Sequence, residues 1–210
     1  MKVSSIKKGL LFITLISALS INIFGKEPLI IEEQGSFTAG GSVFKEKGVY
    51  DFNNPLKSDG QTYHGDHAYV SYQIPQDIKG KSLVFLHGAG QSAKTWETTP
   101  DGREGFNNIF LRKGYPVYLL DQPRRGRAGR SMVTGTVTNT PDEQFWLDTF
   151  RIKGDTQFAK GEEALENFYR QMTPNTGDYN EAVISDAVSA VFDKIGEGIL
   201  ITHSQGGGPG

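Results

Sequence analysis

The chain has 210 residues, with 22 basic and 24 acidic side chains, 26 glycines, no cysteine and 37% apolar residues. This length predicts one domain, and the apolar fraction is large enough for a core, which excludes a wholly disordered chain. The absence of cysteine excludes disulfides, thiolate metal sites and a cysteine nucleophile, and the formal net charge of −2 gives no electrostatic reason to expect nucleic acid as a partner.

The first 25 residues have the pattern of a secretory signal peptide. Lys2, Lys7 and Lys8 precede an apolar run over residues 10–24, which is shorter than the roughly 20 residues that a membrane span needs. Removal of residues 1–25 takes away these three lysines and no acid, which leaves 19 basic and 24 acidic side chains. We expect an exported protein, periplasmic or extracellular, without a stable membrane anchor after cleavage; the alternative is an uncleaved N-terminal anchor.

The first half of the remaining chain predicts three strands. Residues 35–43 are typical of a glycine-rich strand, and residues 45–66 are polar and rich in turn signals. Residues 68–74 alternate apolar and polar side chains and stop at Pro75, which predicts a half-buried strand. Residues 82–86 form a short apolar run, typical of a strand that is buried on both faces in a parallel sheet.

A helix and a further buried strand follow. Residues 105–113 predict a helix with Phe106, Ile109 and Phe110 facing inward, and residues 115–120 predict a strand.

The last third of the chain alternates in the same way. It predicts helices over residues 142–151, 161–172 and 180–195, and a third buried strand over residues 198–202. This order predicts an α/β fold with a mostly parallel sheet and crossover helices. We expect residues 132–180 to be a cap-like insertion that shapes specificity, because helices there interrupt the strand rhythm.

The strand over residues 198–202 runs directly into the sequence HSQGG at residues 203–207. This sequence approximates the nucleophile elbow Gly-x-Ser-x-Gly, in which a sharp turn exposes a serine hydroxyl above a sheet. Ser204 is therefore the candidate nucleophile. Gly206 fills the later small position, whereas Thr202 stands where the first glycine is usual. The alternative is a glycine-rich turn with an incidental serine.

The sequence HGAG at residues 87–90 directly follows the strand over residues 82–86. Acyl transfer builds negative charge on a carbonyl oxygen, which backbone N–H groups can stabilise. One such donor comes from the residue after the nucleophile, here Gln205, and the other from the loop after the third strand. We predict that Ala89 and Gln205 supply the oxyanion N–H groups.

A third segment, DQPRRGRAGRS at residues 121–131, follows the strand over residues 115–120. The order of HG-x-x, this segment and a serine elbow resembles the α/β-hydrolase fold. The stretch TWETTPDGR at residues 95–103 makes the chain similar to secreted bacterial carboxylesterases of that fold, over about residues 35–210. The resemblance implies a carboxylic ester hydrolase that acts on a small-molecule ester without a metal or an organic cofactor.

Several side chains near these motifs have two interpretations. The segment's arginines form a solvated, hydrogen-bonded loop, or one of them attracts an anionic substrate group; they are Arg124, Arg125, Arg127 and Arg130. Trp96 and Glu97 either shape an acyl pocket or only pack.

The histidines offer no clear catalytic base. His203 precedes the nucleophile and is predicted to be structural, and His87 is predicted to brace its loop by hydrogen bonding. His64 and His67 precede a strand and lack the further ligands that a metal site needs.

A serine hydroxyl needs a base, which is usually a histidine oriented by a carboxylate, and in this fold both follow the serine in the chain. Residues 205–210 contain neither an acid nor a histidine. We therefore expect this chain to be the N-terminal part of a hydrolase, truncated at its C-terminus and inactive as it stands. The alternative is an exported, non-catalytic ligand-binding module on a hydrolase-like scaffold. Phosphate binding by residues 206–208 is disfavoured because no P-loop lysine follows.

Overall fold

The computed structural model describes residues 27–138, 143–149, 156–158 and 161–210. The predicted signal peptide lies outside these residues, as do parts of the predicted helix over residues 142–151 and of the predicted insertion. No helix in the described part of the chain is long and apolar enough to cross a membrane.

The described residues form one five-stranded sheet with helices on both faces. The strands are β1 (Ile31–Lys45), β2 (Thr62–Pro75), β3 (Ser82–Leu86), β4 (Val117–Asp121) and β5 (Gly198–Thr202). The helices are α1 (Lys94–Glu97), α2 (Phe106–Arg112), α3 (Glu143–Thr149), α4 (Glu162–Arg170) and α5 (Glu181–Ile195). Two short 3₁₀ turns occur at Gly126–Ala128 and Ser204–Gly207.

The strand order is β1-β2-β4-β3-β5. β3 pairs in parallel with β4 on one side and with β5 on the other, whereas β1, β2 and β4 are joined by antiparallel pairs. The predicted α/β sheet with parallel inner strands is therefore confirmed. Because β3, β4 and β5 are parallel, their carboxyl ends lie at the same edge of the sheet. After β3 the chain adds β4 on one side of it and then β5 on the other, so the strand order reverses at β3.

The inner strands separate two apolar cores. Val84 and Leu86 of β3 point toward α5, whereas Leu83 and Phe85 point toward α1 and α2. This alternation is the two-residue period of a strand with both faces covered. β3 is therefore buried on both faces, as the sequence predicts.

Helix α5 covers one face of the sheet. The side chain of Asn180 caps it by accepting a hydrogen bond from the Val183 N–H at 3.1 Å. Its buried face repeats at helical spacing, through Ile184, Ala187, Val188 and Val191. Gly196, with φ of 78°, follows its last residue. The predicted apolar stripe is confirmed.

Three local predictions are wrong. The predicted turn-rich region ends earlier than expected, because residues 62–66 already pair with β1 in a long hairpin. Phe106 and Ile109 are not buried: they are 50% and 36% exposed, although the Phe106 ring still contacts Phe85. Leu111 is the buried residue of α2. β5 is only partly buried: Leu200 and Ile201 pack against the two cores, but Ile199 is 48% exposed, and β5 is an edge strand among the described strands.

Candidate functional site

The chain turns sharply where β5 ends. Ser204 has φ of 52°, in the left-handed region that a residue with a Cβ rarely occupies, and it begins a 3₁₀ turn. The His203 N–H donates to the carbonyl oxygen of Leu86 at 3.1 Å, and the Gly206 N–H donates to the carbonyl oxygen of His203 at 2.9 Å. These bonds hold the turn against β3, and they leave Ser204 exposed at the carboxyl edge of the sheet.

Glycines let the elbow and the loop after β3 approach closely. A Cβ atom at Gly206 would lie 2.7 Å from the carbonyl oxygen of His87, so this position has no room for a side chain. A Cβ atom at Gly88 would lie 3.0 Å from the Cβ atom of Ser204. The backbone that leads into Ala89 is therefore in contact with the serine. Ala89 and Gln205 both line the cleft at this edge of the sheet.

His87 is fully buried and braces its own loop. Its Nε2 atom accepts a hydrogen bond from the Gln122 N–H at 3.2 Å, so the proton is on Nδ1, which donates to the carbonyl oxygen of Gly88 at 3.0 Å. Burial lowers the pKa of His87 to about 4. A neutral histidine whose two ring nitrogens are both occupied is a structural brace and is not available to Ser204 as a base.

The segment after β4 contains buried arginines instead of the solvated loop that its composition predicts. Arg124 forms two hydrogen bonds to the carboxylate of Asp66, at 2.9 and 2.6 Å, and both side chains are buried. This contact holds the pKa of Asp66 below its ordinary value. The solvated interpretation is therefore wrong for Arg124 and for Arg125, which is 3% exposed, whereas Arg130 is exposed.

Arg125 reaches from the segment after β4 to the other two loops of the edge. It donates to the carbonyl oxygen of Gly88 at 2.9 Å and to Oε1 of Gln205 at 3.3 and 3.2 Å. Its Nε–H donates to Oδ1 of Asn175 at 2.7 Å. Burial lowers the pKa of Arg125 to about 10, which still leaves it charged at neutral pH.

The buried carboxylate of Asp121 connects the loop after β3 with the segment after β4. Oδ1 of Asp121 accepts from the Ala93 N–H at 2.6 Å, and Oδ2 accepts from the backbone N–H and the Nε–H of Arg127 at 3.0 and 2.7 Å. A Cβ atom at Gly126 would lie 2.9 Å from the carboxyl carbon of Asp121. The segment over residues 121–131 therefore orders the loops at the carboxyl edge of the sheet. We call loops 87–92, 121–130 and 203–207 the site floor.

A cleft of about 840 Å³ opens above the site floor. Its opposite side, which we call the outer wall, consists of side chains from α3, α4 and the residues after α4: Phe145, Trp146, Tyr169 and Met172. The wall contacts the floor at Gly90, where a Cβ atom would lie 2.7 Å from the Trp146 ring. Residues of the predicted insertion thus line the cleft beside the elbow.

No histidine or carboxylate of the described residues forms a hydrogen bond with the Ser204 hydroxyl. The Nδ1 atom of His203 lies 3.2 Å from Oε1 of Gln91. The His203 ring also packs edge to face on Trp96, with 6.3 Å between the ring centroids. Gln91 also accepts the Gly88 N–H at 3.0 Å. His203 therefore packs the elbow against the loop after β3 and against α1.

Trp96, His64 and His67 do not line the cleft. Trp96 is buried and packs on Phe85 with 5.1 Å between ring centroids, which favours the packing interpretation. His64 and His67 lie in the β1–β2 ladder, and no group of three or more potential metal-ligating side chains occurs in the ranges that the structure describes. Sequence reasoning missed the pairing of Asp66 with Arg124, because 58 residues separate them and no local pattern links them.

We compared the chain with protein families, curated proteins and solved structures. No protein-family model matches the chain. The chain is 31% identical over 166 residues to a probable secreted lipase, phiG, of a fungal species (strain ATCC 74256), a match that covers 72% of this chain and 46% of the lipase. The solved structure of a bacterial esterase matches with a TM-score of 0.68 and 29% identity, and the match covers 86% of this chain and 62% of the esterase.

A peroxisomal α/β-hydrolase of Saccharomyces cerevisiae, Lpx1, matches more weakly, with a TM-score of 0.33 and 14% identity over 84% of this chain and 39% of its own. The chain spans about half the length of the curated relative that it matches.

Proposed function

The chain has the α/β-hydrolase fold and is similar to a bacterial esterase and a secreted lipase, and from this we propose that the protein is a carboxylic ester hydrolase with Ser204 as its nucleophile. The observation that carries the proposal is the left-handed backbone of Ser204, with φ of 52°, at an exposed turn in contact with Gly88. Such strain at a residue other than glycine is typical of functional sites.

The reaction proceeds through an acyl-enzyme. The Ser204 oxygen attacks the ester carbonyl carbon while a base takes the hydroxyl proton, and the tetrahedral intermediate carries the negative charge on the former carbonyl oxygen. The N–H groups of Ala89 and Gln205 stabilise this oxyanion. The bond to the alcohol then breaks, the alcohol leaves with the proton, and water releases the acid from Ser204.

We propose that the base and its orienting acid come from sequence outside these 210 residues. The support is that His87 is buried and neutral and that His203 contacts Gln91. The 210-residue chain alone is accordingly proposed to be inactive. The similarity to a probable secreted lipase supports export, and the apolar outer wall supports a small-molecule ester as substrate.

Covalent labelling tests the role of Ser204. The complete coding sequence is expressed, and the purified protein is treated with a fluorophosphonate probe, which reacts with an activated serine. We expect labelling of the complete protein and none of its Ser204→Ala variant. The control is Ser58→Ala, at an exposed serine in the β1–β2 loop, which should label normally. Labelling that persists in Ser204→Ala overturns the assignment.

The absence of a base for Ser204 among the described residues favours one other function. An exported, non-catalytic ligand-binding module would keep the cleft and dispense with the chemistry. It predicts that the complete protein is not labelled and hydrolyses no ester, yet binds ester analogues in the cleft.

A further inference from the structure

Arg125 is buried in the site floor and contacts both of the loops that carry the proposed oxyanion donors. We infer that Arg125 is a positioning residue that orients these two donors at once, an inference that rests on the proposed function. Its guanidinium bridges the carbonyl oxygen of Gly88 and the side chain of Gln205.

The contact with Gly88 fixes the first donor. The carbonyl of Gly88 and the N–H of Ala89 belong to one planar trans peptide, so they point in opposite directions. Arg125 at 2.9 Å and His87 at 3.0 Å both donate to this carbonyl oxygen. The N–H of Gln91 is a third donor to this oxygen, at 3.4 Å. Together the three donors restrain rotation of the peptide, and they polarise it so that the Ala89 N–H becomes a stronger donor.

The contact with Gln205 restrains the second donor. Both terminal nitrogens of Arg125 donate to Oε1 of Gln205, at 3.3 and 3.2 Å. The backbone N–H of Gln205 is the donor that follows the nucleophile in the chain. Because Arg125, in the segment after β4, holds both this side chain and the carbonyl of Gly88, it restrains shifts of the 3₁₀ turn relative to the Gly88–Ala89 peptide.

The partners of Arg125 identify a role beyond holding loops together. Its hydrogen-bond acceptors are neutral oxygens of Gly88, Asn175 and Gln205, and no carboxylate of the described residues forms an ion pair with it. Its neighbour Arg124, in contrast, is paired with Asp66. The positive charge of Arg125 is therefore not neutralised by a direct partner, and it favours negative charge that develops nearby during the reaction.

Kinetics of the complete protein test this inference. Arg125→Met should lower kcat by about 10²-fold while KM stays within a factor of about three, the pattern expected when oxyanion stabilisation is lost. Affinity for a trifluoromethyl ketone, which binds as an oxyanion, should fall by a similar factor. Added guanidinium ion should restore part of the activity of Arg125→Ala. The control is Lys57→Met, which removes an exposed positive charge in the β1–β2 loop, outside the site floor and the outer wall, and should leave kcat unchanged.

A second variant covers the case in which Arg125→Met does not fold. Arg125→Lys retains the charge but presents one nitrogen, which cannot reproduce the fork between Gly88 and Gln205, so kcat should still fall by at least about 10-fold. Wild-type kcat in a folded Arg125 variant overturns the inference, and so does a loss confined to KM. Failure of the proposed function is separate, because the unmodified protein would then not be labelled at Ser204.

Discussion

The site floor and the outer wall of the cleft are built from different kinds of side chain. The floor is fixed by hydrogen bonds between residues far apart in sequence, such as Arg124 with Asp66 and Arg125 with Gln205. The outer wall is formed by apolar and aromatic side chains of α3 and α4. The difference teaches that the proposed chemistry of this cleft and its selectivity can change separately, because hydrogen bonds fix directions whereas apolar side chains tolerate changes of shape.

The largest effect on stability should come from Arg124. Arg124→Met leaves the buried carboxylate of Asp66 without its partner, which we expect to lower the free energy of unfolding by about 3 kcal/mol or more. Urea unfolding measures the change. Lys81→Met removes an exposed ion pair with Glu197 and should leave the midpoint nearly unchanged. Equal midpoints for Arg124→Met and the unmodified protein would show that this part of the floor is not held by the ion pair.

A smaller loss is expected where the elbow packs against the loop after β3. Gly206→Ala places a Cβ atom 2.7 Å from the carbonyl oxygen of His87, a backbone atom, and should cost about 1–3 kcal/mol of unfolding free energy. Gly207→Ala is the matched control, because its Cβ atom would have its nearest neighbour, Oγ1 of Thr202, at 3.8 Å. Thermal unfolding of the two variants compares them directly, and equal losses would contradict a tight contact at Gly206.

The smallest effect on stability should come from the outer wall. Phe145→Ala removes a ring that is 46% exposed and should change the free energy of unfolding by about 1 kcal/mol or less. The same change should alter the ratio of kcat/KM for long and short acyl esters by about 10-fold, since it enlarges the cleft without touching the floor. Val49→Ala, at an 85% exposed side chain, is the control for a remote apolar truncation. An unchanged ratio for Phe145→Ala would place the bound ester away from the outer wall.

Local patterns were sufficient to predict the inner part of the fold. The bounds of β3 and β5, Ser82–Leu86 and Gly198–Thr202, agree with their apolar runs, and the stripe of α5 is buried as its spacing indicates. These elements are predictable because one periodicity determines each of them. β2 begins at Thr62 instead of residue 68, since its first residues are paired with β1 and carry no alternating pattern of their own.

The candidate site was predictable in part for the same reason. The elbow and the glycine loop each follow a short apolar strand, so their order in the chain already places them at the carboxyl edge of the sheet. The burial of Arg124 and Arg125 was not predictable, because their partners Asp66, Asn175 and Gln205 lie 50 to 80 residues away in sequence. A run of arginines and glycines is typical of a solvated loop, and only the tertiary contacts override that interpretation.

The left-handed backbone at Ser204 lowers the free energy of unfolding of the protein. A side chain in this region of φ and ψ costs about 1–2 kcal/mol relative to the right-handed alternative, whereas glycine incurs almost no penalty. Ser204→Gly would thus raise the melting temperature while it removes the hydroxyl on which hydrolysis is proposed to depend. Selection of this protein for heat resistance alone would favour loss of its proposed nucleophile, so directed evolution here needs a simultaneous screen for turnover.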